Sequence, residues 1–204
     1  ISRSDIKKLI RRGEVAVDGK VVKTADEKVD PETTEICLRG QTVEYNKFVY
    51  IMLNKPKGIL SASNDKSRKT VVDLVPEDMK RQNLFPVGRL DKDTTGLIII
   101  TNDGDYAHKI ISPKNKTGKV YIVKLDGVIK NELISEFEKG VALADGTKCR
   151  PAKLEILEPQ KARLTLFDGK YHEVKRMFGV YSLGVDDLHR EAIGNLILPE
   201  DLKS

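Results

Sequence analysis

The sequence predicts an α+β fold built on a mostly antiparallel sheet, and three observations carry that prediction. Strand-like segments outnumber helical ones and follow no regular βαβ alternation. Asp-Gly pairs at 18–19 and 145–146 sit between short runs of β-prone residues, the signal of tight hairpins. Leu97-Ile98-Ile99-Ile100 is a continuous apolar run closed by Asn102-Asp103-Gly104, as in a strand buried on both faces.

Taken in chain order, Ser2 or Ser4 caps a first helix with Ile6, Leu9 and Ile10 as its apolar stripe. Gly13 ends it. Lys7, Lys8, Arg11 and Arg12 fall on its wetter side. Val15–Val22 is a hairpin turning at Asp18-Gly19, and residues 46–48 read as a junction. Val49–Leu53 is a strand closing on Asn54-Lys55-Pro56-Lys57-Gly58, a turn set by Pro and Gly. The strand over 97–100 leads into a short helix over 105–111, ended by Ser112-Pro113. Lys119–Leu125 is a strand, and residues 130–139 form an amphipathic helix with Leu133, Ile134 and Phe137 inward and Gly140 beyond its end. A hairpin spans Val141–Leu143 and Thr147–Cys149. Leu154–Leu157 and Ala162–Phe167 are strands, and a helix opens at Tyr171-His172-Glu173 after the Asp168-Gly169-Lys170 turn.

Composition narrows the function classes. The 204 residues are 39% hydrophobic and 33% charged, in the range of one or two globular domains. No apolar run approaches the ~20 residues that span a bilayer, so no membrane partner is expected. The opening residues show no signal-peptide pattern. Cys37 and Cys149 are isolated, which fits a reducing, cytoplasmic compartment. His108, His172 and His189 lack metal-ligand spacing, so no metal is expected. Gly-x-Gly-x-x-Gly, Walker and Gly-x-Ser-x-Gly patterns are absent, so neither a nucleotide cofactor nor serine-hydrolase chemistry has a foothold. The net charge of +5 suits a polyanionic partner. That charge is local: residues 1–24 carry seven Lys/Arg against three acids, and residues 25–45 two against six. The chain opens on Ile1 rather than Met, so residues preceding it are expected.

The chemistry points to Phe85–Gly104. A Gly- and charge-rich loop carries Asp91 between Arg89 and Lys92 and runs straight into the apolar strand. A buried strand is a rigid platform for a catalytic loop, and close cations control a carboxylate's charge and orientation. Two other readings stand beside this one. Asp91 can cap a surface turn. Asp91-Lys92-Asp93-Thr94 also fits the Asp-x-Asp-x-Thr of haloacid-dehalogenase-type phosphatases, although there the strand ends at the first Asp, whereas here it follows.

Gly88-Arg89-Leu90-Asp91-x-x-Thr94-x-Gly96, Lys119-x-Tyr121 and Gly169-Lys170-Tyr171-His172-Glu173-Val174-Lys175-Arg176-Met177 together resemble the motifs of the RsuA/RluA superfamily of pseudouridine synthases. Lys55-Pro56-x-Gly58 is similar to its first motif. With Leu188-His189-Arg190-x-x-Ile193-Gly194, the last motif resembles the RsuA branch, which acts on small-subunit ribosomal RNA. The basic helix and the Val-x-Val-Asp-Gly-Lys-Val hairpin resemble the latter part of the αL (S-four-like) RNA-binding module. One departure is local: Ser182-Leu183-Gly184 shifts a glycine, and Asp186-Asp187 replace apolar positions.

The resemblance implies a pseudouridine synthase fold, a mostly antiparallel mixed sheet flanked by helices, over residues 46–204. It implies a partial αL RNA-binding domain over 1–45, truncated at its start. Asp91 would be the catalytic carboxylate. Tyr121 would stack near the target base and help move a proton from carbon 5, and Lys175 would pair with Asp91. Arg89 would enter the RNA helix and hold the uridine out of its stack. Lys55, Lys119 and Arg176, with Lys7, Lys8, Arg11 and Arg12, would contact RNA, and His172 would orient its turn. No cofactor or metal is implied. The expected partner is small-subunit ribosomal RNA or a small-subunit assembly intermediate, bound by a monomer. A non-catalytic RNA-binding assembly factor of the same fold is the alternative from another class.

Overall fold

The computed structural model describes residues 2–43, 45–81 and 83–204. Ile1 and Glu44, used above for the chain start and the charge layout, lie outside the described residues. The chain divides into two compact units, Ile1–Lys47 and Phe48–Ser204.

The first unit opens with α1 (Arg3–Arg11), capped by the Ser2 side chain, which accepts from the Asp5 amide. Gly13, at φ +70°, ends the helix and donates to Ile10. Ile10 is buried, but Ile6 is 40% exposed. The apolar stripe is therefore narrower than the sequence pattern suggests: a nine-residue helix over so small a sheet covers only its last turn. β1 (Val15–Val17) and β2 (Lys20–Val21) form the expected hairpin. Asp18 and Gly19 both have positive φ, the pairing that matches strand twist in a two-residue turn. β3 (Ile36–Leu38) and β4 (Gln41–Thr42) complete a sheet of order β2-β1-β3-β4.

In the second unit, β5 (Tyr50–Lys55), β6 (Phe85–Pro86) and β7 (Thr95–Thr101) precede α2 (Gly104–Ile111). β8 (Lys119–Leu125), α3 (Glu132–Lys139), β9 (Lys153–Glu158), β10 (Lys161–Leu166), α4 (Glu173–Gly179), β11 (Val185–Ile193) and β12 (Leu196–Ile197) follow. The sheet order is β5-β7-β11-β8-β10-β9, with β6 beside β7 and β12 beside β11. Among the described strands, β7 with β11 is the parallel pair and the other pairings are antiparallel.

β7 is buried on both faces, as its apolar run requires. Ile98 and Ile100 join the main core with Phe137, Met177 and Phe178 of α3 and α4. Leu97 and Ile99 point the other way, against Val87, Ala107 of α2 and Ile193. α2 begins where Asp103 caps it by accepting from the Tyr106 amide. The expected hairpin around Asp145-Gly146 shrinks to the single bridge Ala142–Lys148. Gly140, at φ +86°, and Pro151, which has no N–H, cut its arms short. Asp187, at a bulge in β11, pairs with Lys57 at 2.7 Å, so the acidic departure there is answered by a cation.

Candidate active site

The loop carrying Asp91 is fastened by its main chain. Leu90 is buried in the core. The Ser61 hydroxyl takes the Leu90 N–H at 3.0 Å and donates to its carbonyl at 2.9 Å. The Thr94 N–H closes a turn on the Asp91 carbonyl. Behind the loop, Lys55 Nζ donates to the carbonyls of Thr94 (2.8 Å), Pro56 (3.0 Å) and Lys92 (3.2 Å). Lys55 is wholly buried, and burial pushes its ammonium down to about 8. This corrects the expectation of an RNA contact at Lys55. The register of β5 against β7 places it opposite Gly96, inside the protein, where three carbonyls take all its donors.

Asp91, Arg89, Tyr121, His172 and Lys175 line one pocket of about 70 Å³. Four of these five are expected site residues, drawn from three distant segments. The Asp91 side chain is 29% exposed, with Oδ1 3.4 Å from His172 Nε2 and Oδ2 4.0 Å from Lys175 Nζ. Lys175 makes its short contact elsewhere, donating to Asp93 Oδ2 at 2.6 Å. The expected Asp91–Lys175 pair is thus the longer arm of a shared cation. The Lys175 hydrogen bond holds the Asp93 carboxyl below the usual carboxylate range.

Tyr121 stands on β8 with its ring buried, and the Arg190 guanidinium lies 6.0 Å from the ring centre. Arg190 is itself buried and donates from Nε to the Leu97 carbonyl at 2.7 Å. The turn before α4 is closed by Glu173, whose carboxylate accepts the Lys170 N–H at 3.0 Å. His172 sits at φ +48°, a left-handed conformation that aims its ring into the pocket, stacked on Tyr171 at 3.8 Å. It does orient the turn, but its reach to Asp91 makes it a site residue that sequence reasoning left out. Ser61, thirty residues from Asp91, gave no signal at all. Thr94 also lines the pocket, its hydroxyl buried without a hydrogen-bond partner.

The structure does not bring the remaining candidates into this pocket. Lys119 is half-buried and donates to the Asp168 carbonyl at 3.3 Å, and burial lowers its ammonium. Arg176 pairs with Asp145. Lys7, Lys8 and Arg11 on α1, and Arg12 at its C-cap, are exposed in the first unit. A larger cavity of about 270 Å³ lies on the opposite sheet face, lined by Val120, Arg163, Thr165 and Glu191, and contains none of the candidate residues.

A carboxylate, a phenol, an imidazole and cations around one pocket, in a chain whose N-terminal helix is basic, can supply a nucleophile, a proton carrier and contacts for an anionic substrate. The phosphatase reading fails on topology, because β7 leaves the Asp91 loop and does not end at it.

Comparison with known proteins identifies the class. The RNA pseudouridylate synthase family model matches residues 49–179, and the S4 domain model matches residues 1–34. The chain is 43% identical over 201 residues to the uncharacterized RNA pseudouridine synthase YtzG of Bacillus subtilis, covering 97% of this chain and 84% of that protein. It is 38% identical over 205 residues to ribosomal small subunit pseudouridine synthase A of Escherichia coli K12, covering 99% and 87%. A crystal structure of a pseudouridylate synthase superposes with a TM-score of 0.73 at 34% identity, over 100% of this chain and 88% of that one. The chain belongs to the RNA pseudouridylate synthase family and carries an S4 domain at its N-terminus.

Proposed function

We propose that this enzyme isomerises one uridine of small-subunit ribosomal RNA to pseudouridine, with Asp91 as its catalytic carboxylate. The convergence of Asp91, Tyr121, Arg89 and Lys175 on one pocket carries the reading. The target class is supported by relatives named as ribosomal small subunit pseudouridine synthase A, which the chain matches nearly end to end.

The reaction breaks the bond from sugar C1′ to uracil N1 and joins C1′ to C5. C5 loses a proton and N1 gains one, so no co-reactant is required. Asp91 supplies the nucleophile or charge stabiliser for the separated sugar and base. Tyr121, an amphipathic platform at the pocket wall, stacks on the unstacked base and moves the C5 proton. Arg89 fills the gap left by the extruded uridine, offsetting an unstacking cost of a few kcal/mol. Lys7, Lys8, Arg11 and Arg12 contact phosphates. The substrate is the RNA or a small-subunit assembly intermediate in the cytoplasm, met by a monomer.

The test is Asp91→Asn, which keeps size and loses charge. RNA affinity should stay within a few-fold, because phosphate contacts dominate it, while pseudouridine falls below detection. Turnover near the wild-type rate would remove Asp91 from the chemistry. Mapping pseudouridine in small-subunit RNA from cells lacking the protein identifies the uridine.

A further inference from the structure

We propose that Asp93 is a positioning residue that holds the Lys175 ammonium back from Asp91, leaving Asp91 Oδ2 free to act. This rests on Asp91 being the catalytic carboxylate. The two carboxylates compete for one cation: Lys175 Nζ is 2.6 Å from Asp93 and 4.0 Å from Asp91. The first distance is a charge-assisted hydrogen bond, and the second is beyond hydrogen-bond reach. Among the described residues, these are the carboxylates within 4.0 Å of that ammonium.

Neither acid is free to drift. Lys55 grips the carbonyls on both sides of Asp93, those of Lys92 and Thr94, and the Gly58 N–H also donates to Lys92. Lys175, on a flexible four-carbon stem from α4, is the mobile partner. Asp93 contributes little to folding, since its side chain is 66% exposed and exposed pairs are weak. Its place two residues from Asp91 has a different effect. Without its charge, the ammonium would close on Asp91 and tie up a lone pair in a short ionic hydrogen bond. A carboxylate so engaged is a poorer nucleophile.

The measurement is the single-turnover rate of pseudouridine formation, with RNA affinity alongside. The substrate is small-subunit particles from cells lacking the protein. Asp93→Asn should lower the rate about tenfold and leave affinity unchanged, and Asp93→Glu should restore part of it. In a Lys175→Met background Asp93→Asn should have no further effect, because the cation it restrains is gone. An unchanged rate in Asp93→Asn, or the same loss in the Lys175→Met background, overturns the proposal. Should Lys175→Met be too slow to compare, the crystal structure of Asp93→Asn decides. An ammonium within about 3.2 Å of Asp91 supports the proposal, and one still at its present distance refutes it. Turnover by Asp91→Asn would instead sink the reading of Asp91, whatever Asp93 does.

Discussion

Gly96 and Arg190 meet back to back where β7 runs parallel to β11. A Cβ on Gly96 would lie 2.3 Å from the Arg190 carbonyl oxygen and 2.7 Å from its nitrogen. Gly96 also sits at φ +102°, where side-chain-bearing residues are strained. This contact joins the strand leaving the Asp91 loop to the strand whose Arg190 reaches back to Leu97 and lies beside Tyr121.

Gly96→Ala should therefore force these strands apart at the base of the site. The expected loss of stability is at least the roughly 1–3 kcal/mol of an overpacked core, read by urea unfolding. Turnover per folded molecule should fall as well. A variant as stable and active as wild type would show that the strands part without cost.

Lys55→Met keeps most of the stem and removes the donor of three buried carbonyls. Unfolding should become easier by roughly 1–3 kcal/mol, and hydrogen exchange in 91–95 should quicken. The pH dependence has a definite sign. The Lys55 ammonium is lowered to about 8 in the native protein, against about 10.4 unfolded. Below pH 8 both states hold the proton. From about pH 8 to 10, the unfolded state holds more of it, so native stability rises with pH. The stability difference between wild type and Lys55→Met should widen over that window, and a flat difference would place the lysine in a wetter site.

Tyr121→Phe preserves the buried ring and removes only the hydroxyl. RNA binding should persist, while the single-turnover rate should drop by about 10²–10⁴, the range of a lost proton-transfer group. A loss below threefold would leave Tyr121 as packing.

Replacing Lys7, Lys8, Arg11 and Arg12 together with Ala should weaken RNA binding. It should also flatten the plot of log affinity against log salt by up to about 0.7–0.9 per lost phosphate contact. Turnover at saturating RNA should hardly change, since uniform binding acts on capture. An unaltered salt slope would make this helix face merely solvated.

The parts legible in the sequence are those whose signals are local. The 97–100 run, the Asp18-Gly19 turn and the Lys119–Leu125 strand each reveal themselves within a few residues, and the structure places them accordingly. Arg89, Asp91, Tyr121 and Lys175 were legible as motif residues. Their meeting in one pocket depends on β11 bridging β7 and β8 in the sheet and on α4 packing into the same core, which no single segment states. Lys55 reads as an exposed turn residue because Pro56 and Gly58 surround it, yet strand register turns it inward. The preference of Lys175 for Asp93 over Asp91 turns on little more than an ångström, and Ser61 and His172 act through tertiary contacts. Such choices are made by packing, after the motifs have done their part.

The grip of Lys55 has a consequence for how this loop tolerates change. Its three acceptors are main-chain oxygens, which every amino acid possesses. The path of the chain past Asp91 is thus insulated from the identities of residues 92 and 93. The side chain at 92 is free to be exchanged, retuning contact with a different RNA, and a change at 93 alters the restraint on Lys175 without moving the backbone that carries Asp91. A scaffold that reads only backbone lets one catalytic geometry be reused across substrates.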